Sequence, residues 1–178
     1  MFINGFLIVF GSILLGALLF FSWVVWGAFF YGAPLVSTSK KVTREMIKLA
    51  DVHSKEKVYD LGCGSGTILF SVEKFSPSSV QYIGYDLIRP VIWYAQMKNS
   101  FLKKNIKFQY ADIFKQDFSE ADVIFCYLLP KAMEEVYSKI WPTLKTGCKI
   151  ISHGFPISSL RPVQTKQVGK ERIYLYQK

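Results

Sequence analysis

Two hydrophobic patterns divide the chain. From Phe6 to Phe30 apolar residues run almost without a break, interrupted only by Ser12, Ser22 and small residues. This run exceeds the roughly 20 residues a helix needs to cross a bilayer and predicts one transmembrane helix. Past Ser39 the pattern becomes periodic. Ser39 is placed to cap a helix that turns Val42, Met46, Leu49 and Ala50 inward. A short buried strand, Val58 to Leu61, then breaks into a loop with glycine at 62, 64 and 66, and a helix to about Phe75 follows, with Ile68, Leu69, Val72 and Phe75 on one face.

The same alternation repeats. Val80 to Tyr85 reads as a second strand ending in Asp86, and Pro90 sits in the first turn of a helix that carries Val91, Ile92, Trp93 and Ala95. Ile106 to Tyr110 is a third strand, followed by Asp112. Asp122 to Leu129 is almost wholly apolar, as in a central strand covered on both faces. Pro130 opens a helix with Met133, Val136, Tyr137 and Ile140 inward, and Cys148 to Ser152 is a fifth strand. Val163 to Val168 and Arg172 to Tyr176, joined by Gly169-Lys170, form a hairpin. The expected architecture is α/β: an N-terminal transmembrane helix and linker over 1–36, then a Rossmann-like domain over 37–178. Its sheet has seven strands, mostly parallel, with an antiparallel C-terminal hairpin.

Charge sharpens the division. All 22 Lys and Arg and all 13 Asp and Glu lie beyond Ser39. Lys40, Lys41, Arg44 and Lys48 follow the apolar run directly, which predicts a cytoplasmic C-terminal domain at a cell membrane, with the mitochondrial inner membrane as the alternative. Trp23, Trp26 and Tyr31 stand where an interfacial aromatic belt would lie. The net charge of +9 comes from scattered lysines rather than an Arg-rich cluster, which suits anionic headgroups and argues against nucleic acid. Three cysteines without ligand spacing argue against a disulfide framework or a metal site.

The glycine loop carries the chemistry. A dinucleotide fingerprint counted from Gly62 needs a small residue at position 67, which is threonine. The pattern is instead Asp60-x-Gly62-x-Gly64-x-Gly66. It suits S-adenosylmethionine, which has no pyrophosphate but carries an ammonium that Asp60 can hold beside bare glycine backbone. Asp86 follows at the distance expected of an acid that binds ribose hydroxyls. Asp112 is placed to accept from the adenine amino group or simply to cap a turn. Thr38, with Ser37, either closes over the methionine end or caps the first helix. Tyr127 and Pro130, where the fourth strand ends, are the residues expected at the acceptor mouth, although Tyr127 could equally well only pack. His153 reads better as structural or exposed than as a site residue, and His53 as surface. No general base is assigned.

The chain resembles the membrane-anchored lysine methyltransferases that include the enzymes acting on the ATP synthase c-subunit and the adenine nucleotide translocase, with their prokaryotic relatives. The resemblance rests on Gly32-Ala-Pro-Leu-Val-Ser-Thr38, Tyr59-Asp-Leu-Gly-Cys-Gly-Ser-Gly66, Gly84-Tyr-Asp86, Ala111-Asp-Ile-Phe114, Tyr127-Leu-Leu-Pro130 and Ser152-His-Gly-Phe-Pro156. It implies an S-adenosylmethionine-dependent N-methyltransferase whose acceptor is a lysine of a protein in or near the membrane. Where the family often shows Gly-Asp-Gly-Arg, this chain has Gly64-Ser-Gly-Thr67, and Asp86 stands where many relatives have Glu. A lipid, quinone or other small acceptor, and a degenerate anchored module that binds cofactor without turnover, are the competing expectations.

Overall fold

The computed structural model describes residues 10–22 and 38–178. Residues 10–22 are helical. The rest of the expected anchor, its aromatic belt, Ser37 and the boundary at 36/37 lie outside the described residues. Among the described residues no helix is long and apolar enough to cross a membrane.

The remaining elements alternate in chain order: α1 (Lys40–Ala50), β1 (Lys57–Leu61), α2 (Thr67–Phe75), β2 (Gln81–Asp86), α3 (Arg89–Phe101), β3 (Ile106–Tyr110), β4 (Val123–Cys126), α4 (Pro130–Glu135), β5 (Lys149–His153), β6 (Gln164–Val168) and β7 (Glu171–Gln177). They build one seven-stranded sheet in the order β3-β2-β1-β4-β5-β7-β6. β1 to β5 pair in parallel, whereas β7 runs antiparallel to both β5 and β6. The chain order reverses between β1 and β4, and the crevice beyond the carboxyl ends of strands at such a point is where open sheets bind ligands.

Strand alternation feeds two cores. Val58 points into the face shared with Val42, Met46, Leu69, Val72 and Ile92. Tyr59 and Leu61 belong to the opposite face, with Phe118, Met133, Val136 and Tyr176. Helices therefore cover both sides, which is why β4 is buried throughout.

α1 is pinned along β5 at both of its ends. At its N-terminus the Ser39 hydroxyl accepts from Val42 N, and Thr38 reaches His153 at the carboxyl end of β5. At its C-terminus Lys149 Nζ, from the start of β5, donates to Ala50 O at 2.7 Å. This arrangement carries Thr38 to the ligand-binding edge of the sheet.

Several expected details differ. β4 stops at Cys126 rather than Leu129, because Leu128 is 2% exposed through packing and not through strand pairing. Asp122 lies outside the strand; its carboxylate accepts from Lys57 N at 2.8 Å and pairs with Lys145 at 2.5 Å. The helix after Pro130 passes into a π-helical turn at Val136–Ile140 and a 3-10 turn at Trp141–Thr143. Phe75 and Trp93, apolar by type, are each 66% exposed.

Gly84 in β2 shows how tightly the sheet meets the loop beside it. An added Cβ there would lie 2.8 Å from Cys63 Sγ, 2.9 Å from Cys63 Cβ and 3.0 Å from Leu69. Gly84→Ala is therefore expected to lower stability by about 1–3 kcal/mol, as overpacking does. Denaturant unfolding checks this; a loss below 0.5 kcal/mol (roughly the scale of a surface change) would show that the loop yields freely.

Candidate functional site

The site grows from the turn that leaves β1. Gly62 N and Cys63 N both donate to Tyr85 O in β2, at 2.9 and 3.0 Å. Gly62, Gly64 and Gly66 adopt φ of 76°, 51° and 79°, in the left-handed region that side chains disfavour. Space adds a second constraint at Gly66, where a Cβ would lie 2.5 Å from the Phe108 ring and 2.9 Å from Phe70. At Gly64 an added Cβ would meet nothing within 4 Å, so that stretch of backbone is bare. Gly66 N donates to Cys63 O, which tightens the loop directly before α2.

Asp86 closes the loop from the neighbouring strand. Its Oδ2 accepts from Gly64 N and its Oδ1 from Ile88 N, each at 2.9 Å. Ala111 N donates to Asp86 O, which brings the end of β3 to the same edge. Burial raises the proton affinity of Asp86, and the amides of Gly64 and Ile88 act against that rise.

Asp60 is the unusual group. It is 2% exposed, and burial, reinforced by the Asp86 charge, pushes its pKa up to about 8. Among the described residues no salt bridge reaches it. A buried carboxylate next to a second carboxylate is stabilised by a cationic ligand. The amino-acid end of S-adenosylmethionine supplies such a cation, and the bare backbone at Gly64 leaves room beside it. The residues present fit that group.

The expected acceptor side lies at the ends of β4 and β5. The β1–β4 register pairs Leu61 with Cys126, so Gly62 and Tyr127 leave the sheet side by side. The Tyr127 ring lies 4.1 Å from the His153 imidazole and 6.4 Å from Phe155, centroid to centroid. Gly154, at φ 79°, allows this approach; a Cβ there would sit 3.1 Å from the tyrosine ring. His153 is buried, with Nδ1 3.5 Å from Thr38 Oγ1 and Nε2 against Glu171 Oε2.

The structure thus brings together Asp60, Gly62, Gly64, Gly66 and Asp86 on one side, and Thr38 with Tyr127 on the other. Pro130 is exposed at the first position of α4 and contributes the turn after Tyr127. Asp112 does cap a turn, its Oδ1 accepting from Phe114 N at 3.0 Å, while its Oδ2 lies 3.9 Å from Lys115 Nζ on a side chain that is 33% exposed. Thr38 does not take the helix-capping role, which falls to Ser39. His153 is structural in the sense of being buried, yet it lies against Tyr127 and Thr38, within the site. Glu171 is an addition that the sequence pattern does not single out. The hairpin register pairs His153 with Ile173, which puts Glu171 diagonally across on the same face. Ser65 and Thr67, where relatives often have Asp and Arg, face each other with hydroxyls 3.3 Å apart.

Comparisons with known proteins agree with this geometry. The family described as the ANTKMT methyltransferase domain matches residues 60–164, more than half of the chain. A protein-lysine N-methyltransferase of Saccharolobus islandicus is 30% identical over 152 residues, covering 80% of this chain and 92% of that protein. The ATP synthase c-subunit lysine N-methyltransferase of Rattus norvegicus is 22% identical over 145 residues, covering 80% of this chain and 65% of that protein. The crystal structure of an RNA methyltransferase from Salinibacter ruber in complex with S-adenosyl-L-homocysteine superposes with a TM-score of 0.75. It is 26% identical and covers 80% of this chain and 93% of that one.

Asp60 makes the protein's stability depend on pH. Unfolded, its carboxyl titrates near 3.8; folded, it keeps its proton up to about 8. Between those values the folded state binds more protons, so the stability of the unliganded protein falls as pH rises through that window. Asp60→Asn is expected to flatten the slope and raise the melting temperature near pH 8. It should also weaken S-adenosyl-L-homocysteine by about tenfold to a hundredfold, the scale of a hydrogen bond to a charged group. Thermal melts over pH 5–8 and calorimetry check both; an unchanged affinity would remove Asp60 from the ligand.

Proposed function

Because this chain belongs to the ANTKMT methyltransferase-domain family, and is an S-adenosylmethionine-dependent methyltransferase, we propose that its acceptor is a lysine side chain of a protein in or at a membrane. The lysine acceptor is supported by the family and its protein-lysine relative, and the cofactor part by Asp60, a buried carboxylate with no salt bridge among the described residues.

When bound, S-adenosylmethionine supplies a methyl group already activated by the sulfonium charge. The protein's own task is alignment and desolvation. Asp60 holds the ammonium end, and Asp86 fixes the loop while keeping lone pairs for the ribose hydroxyls. Asp112 would meet the adenine edge with the oxygen that now pairs with the exposed Lys115. The acceptor amine has to be neutral to react, and its reference pKa is about 10.4. Tyr127, Phe155 and the imidazole of His153 form an aromatic surface, and an amine desolvated against it favours its uncharged form. Burial, with Glu171 acting in the same direction, raises the proton affinity of Tyr127, so its hydroxyl stays protonated at neutral pH. Pro130 shapes the mouth from outside.

The membrane part of the reading has two supports. The described helix over 10–22 exposes Ile13, Leu14, Leu15, Leu18 and Leu19 by 54–66% each, a composition suited to lipid. Lys40, Lys41, Arg44 and Lys48 belong to the element that follows and would lie near anionic headgroups. In this reading the chain is a single-pass protein whose 37–178 domain faces the cytoplasm and meets acceptors at the bilayer surface.

The test is methyl transfer from radiolabelled S-adenosylmethionine into isolated membranes. Label is expected on a protein band, at N-methylated lysine after acid hydrolysis. Asp86→Ala should reduce incorporation by at least about a hundredfold, since it removes both the loop tie and the ribose acceptor. Label confined to the organic extract would instead identify a lipid, quinone or similar small acceptor.

A further inference from the structure

In a buried polar line every donor needs an acceptor, so the hydrogen positions follow from the chemistry of its ends. Such a line joins the terminal hairpin to the start of α1. Glu171 Oε2 lies against His153 Nε2, and His153 Nδ1 lies 3.5 Å from Thr38 Oγ1. His153 is 2% and Thr38 7% exposed, whereas the Glu171 side chain is 46% exposed.

A carboxylate accepts, so with Glu171 Oε2 against Nε2 the imidazole hydrogen sits on Nε2. A neutral imidazole then has a lone pair on Nδ1. Burial lowers the proton affinity of His153 below the ordinary value and so favours the neutral ring, although Glu171 acts in the other direction. The Nδ1 lone pair takes the Thr38 hydroxyl hydrogen. What Thr38 still offers is oxygen lone pairs. Among the described residues, Tyr127 also packs against the ring from the β4 side, with centroids 4.1 Å apart and planes tilted by 39°. Gly154 N donates to Arg172 O at 2.8 Å, which ties the hairpin to the residue after His153 and fixes Glu171 in register.

We propose that Glu171 and His153 set the hydrogen pattern of Thr38, so that its oxygen acts in the site solely as an acceptor for an alkylammonium or amine N–H. This rests on the methyl-transfer reading above. Two groups have that chemistry: the amino end of the bound S-adenosylmethionine, and the acceptor lysine. Thr38 is then a binding residue, and His153 and Glu171 are positioning residues that act through it.

The first measurement does not depend on turnover. The chain has two histidines, so the 15N spectrum of labelled protein holds two imidazoles, and His53→Gln assigns them. His153 is expected as the Nε2–H tautomer. In Glu171→Gln the side-chain amide can donate to Nε2, which moves the hydrogen to Nδ1 and aims it at Thr38; the exposure of Glu171 makes this variant safe for folding. Binding of S-adenosyl-L-homocysteine and transfer into membrane protein are then measured for wild type, Glu171→Gln, Thr38→Val and Thr38→Ser. If the cofactor's ammonium is the partner, Glu171→Gln and Thr38→Val weaken S-adenosyl-L-homocysteine about tenfold to a hundredfold, and Thr38→Ser restores it. If the acceptor amine is the partner, that affinity holds and transfer falls by the same factor, again restored by Thr38→Ser. An Nδ1–H tautomer in the wild type overturns the proposal, and so do variants that alter neither quantity. Should the wild type transfer no methyl group at all, the methyl-transfer reading fails by itself. The tautomer and S-adenosyl-L-homocysteine affinity then decide, and an affinity unchanged by the variants counts against the line.

Discussion

The crossing of the glycine loop over β2 is the constraint on which the rest of this molecule depends. Two successive amides, Gly62 N and Cys63 N, donate to one carbonyl, that of Tyr85, and a third, Gly64 N, donates to the Asp86 carboxylate. None of these bonds can form unless the chain reverses between Gly62 and Gly66 and lies nearly on the neighbouring strand. The reversal needs left-handed backbone at all three glycines, and the close approach leaves no space for a Cβ at Gly84 or Gly66. The loop is therefore held by the sheet rather than by its own side chains. A backbone held this way is pre-organised for a ligand, because little conformational freedom is left to lose on binding.

The same crossing brings two carboxylates together. Asp86 is drawn inward by the amides that it accepts, and Asp60 lies beneath the loop with its proton retained to about 8. Two acids in one dry site lower the stability of the protein until a cation joins them. This is a common arrangement at functional sites, where local stability is given up for recognition.

The repeating elements are legible in the sequence because the period of apolar residues changes cleanly from two to 3.6 and back. All seven strands stand close to their expected places, and Asp60, the three glycines and Asp86 converge as their spacing implies. The differences have physical causes. The apolar run through Leu129 reads as strand, but burial of Leu128 comes from packing, which leaves the same trace in composition as a strand does. Asp112 is open between two roles, and its capping bond can coexist with a ligand on the other oxygen. His153 is buried, as a structural histidine would be, but a lone histidine has no local pattern that could reveal its contact with Thr38, 115 residues away. Glu171 becomes visible only with the hairpin register, which follows from the Gly169-Lys170 turn and from parity along β7. The apolar stretch around residues 10–22 reads clearly as anchor from composition, while the described helix there covers only part of what such an anchor needs.

The position of β7 between β5 and β6 has a consequence for the order in which the molecule becomes competent. The parallel strands from β1 to β5, with the glycine loop and both buried acids, are complete in the chain before the hairpin is made. Glu171 arrives with the hairpin, and it enters the sheet by pairing its strand with one synthesised earlier (the register joins Lys149 with Gln177 at one end and His153 with Ile173 at the other). A nascent chain thus carries the glycine loop, tied to Asp86, before it carries the acid that reaches His153.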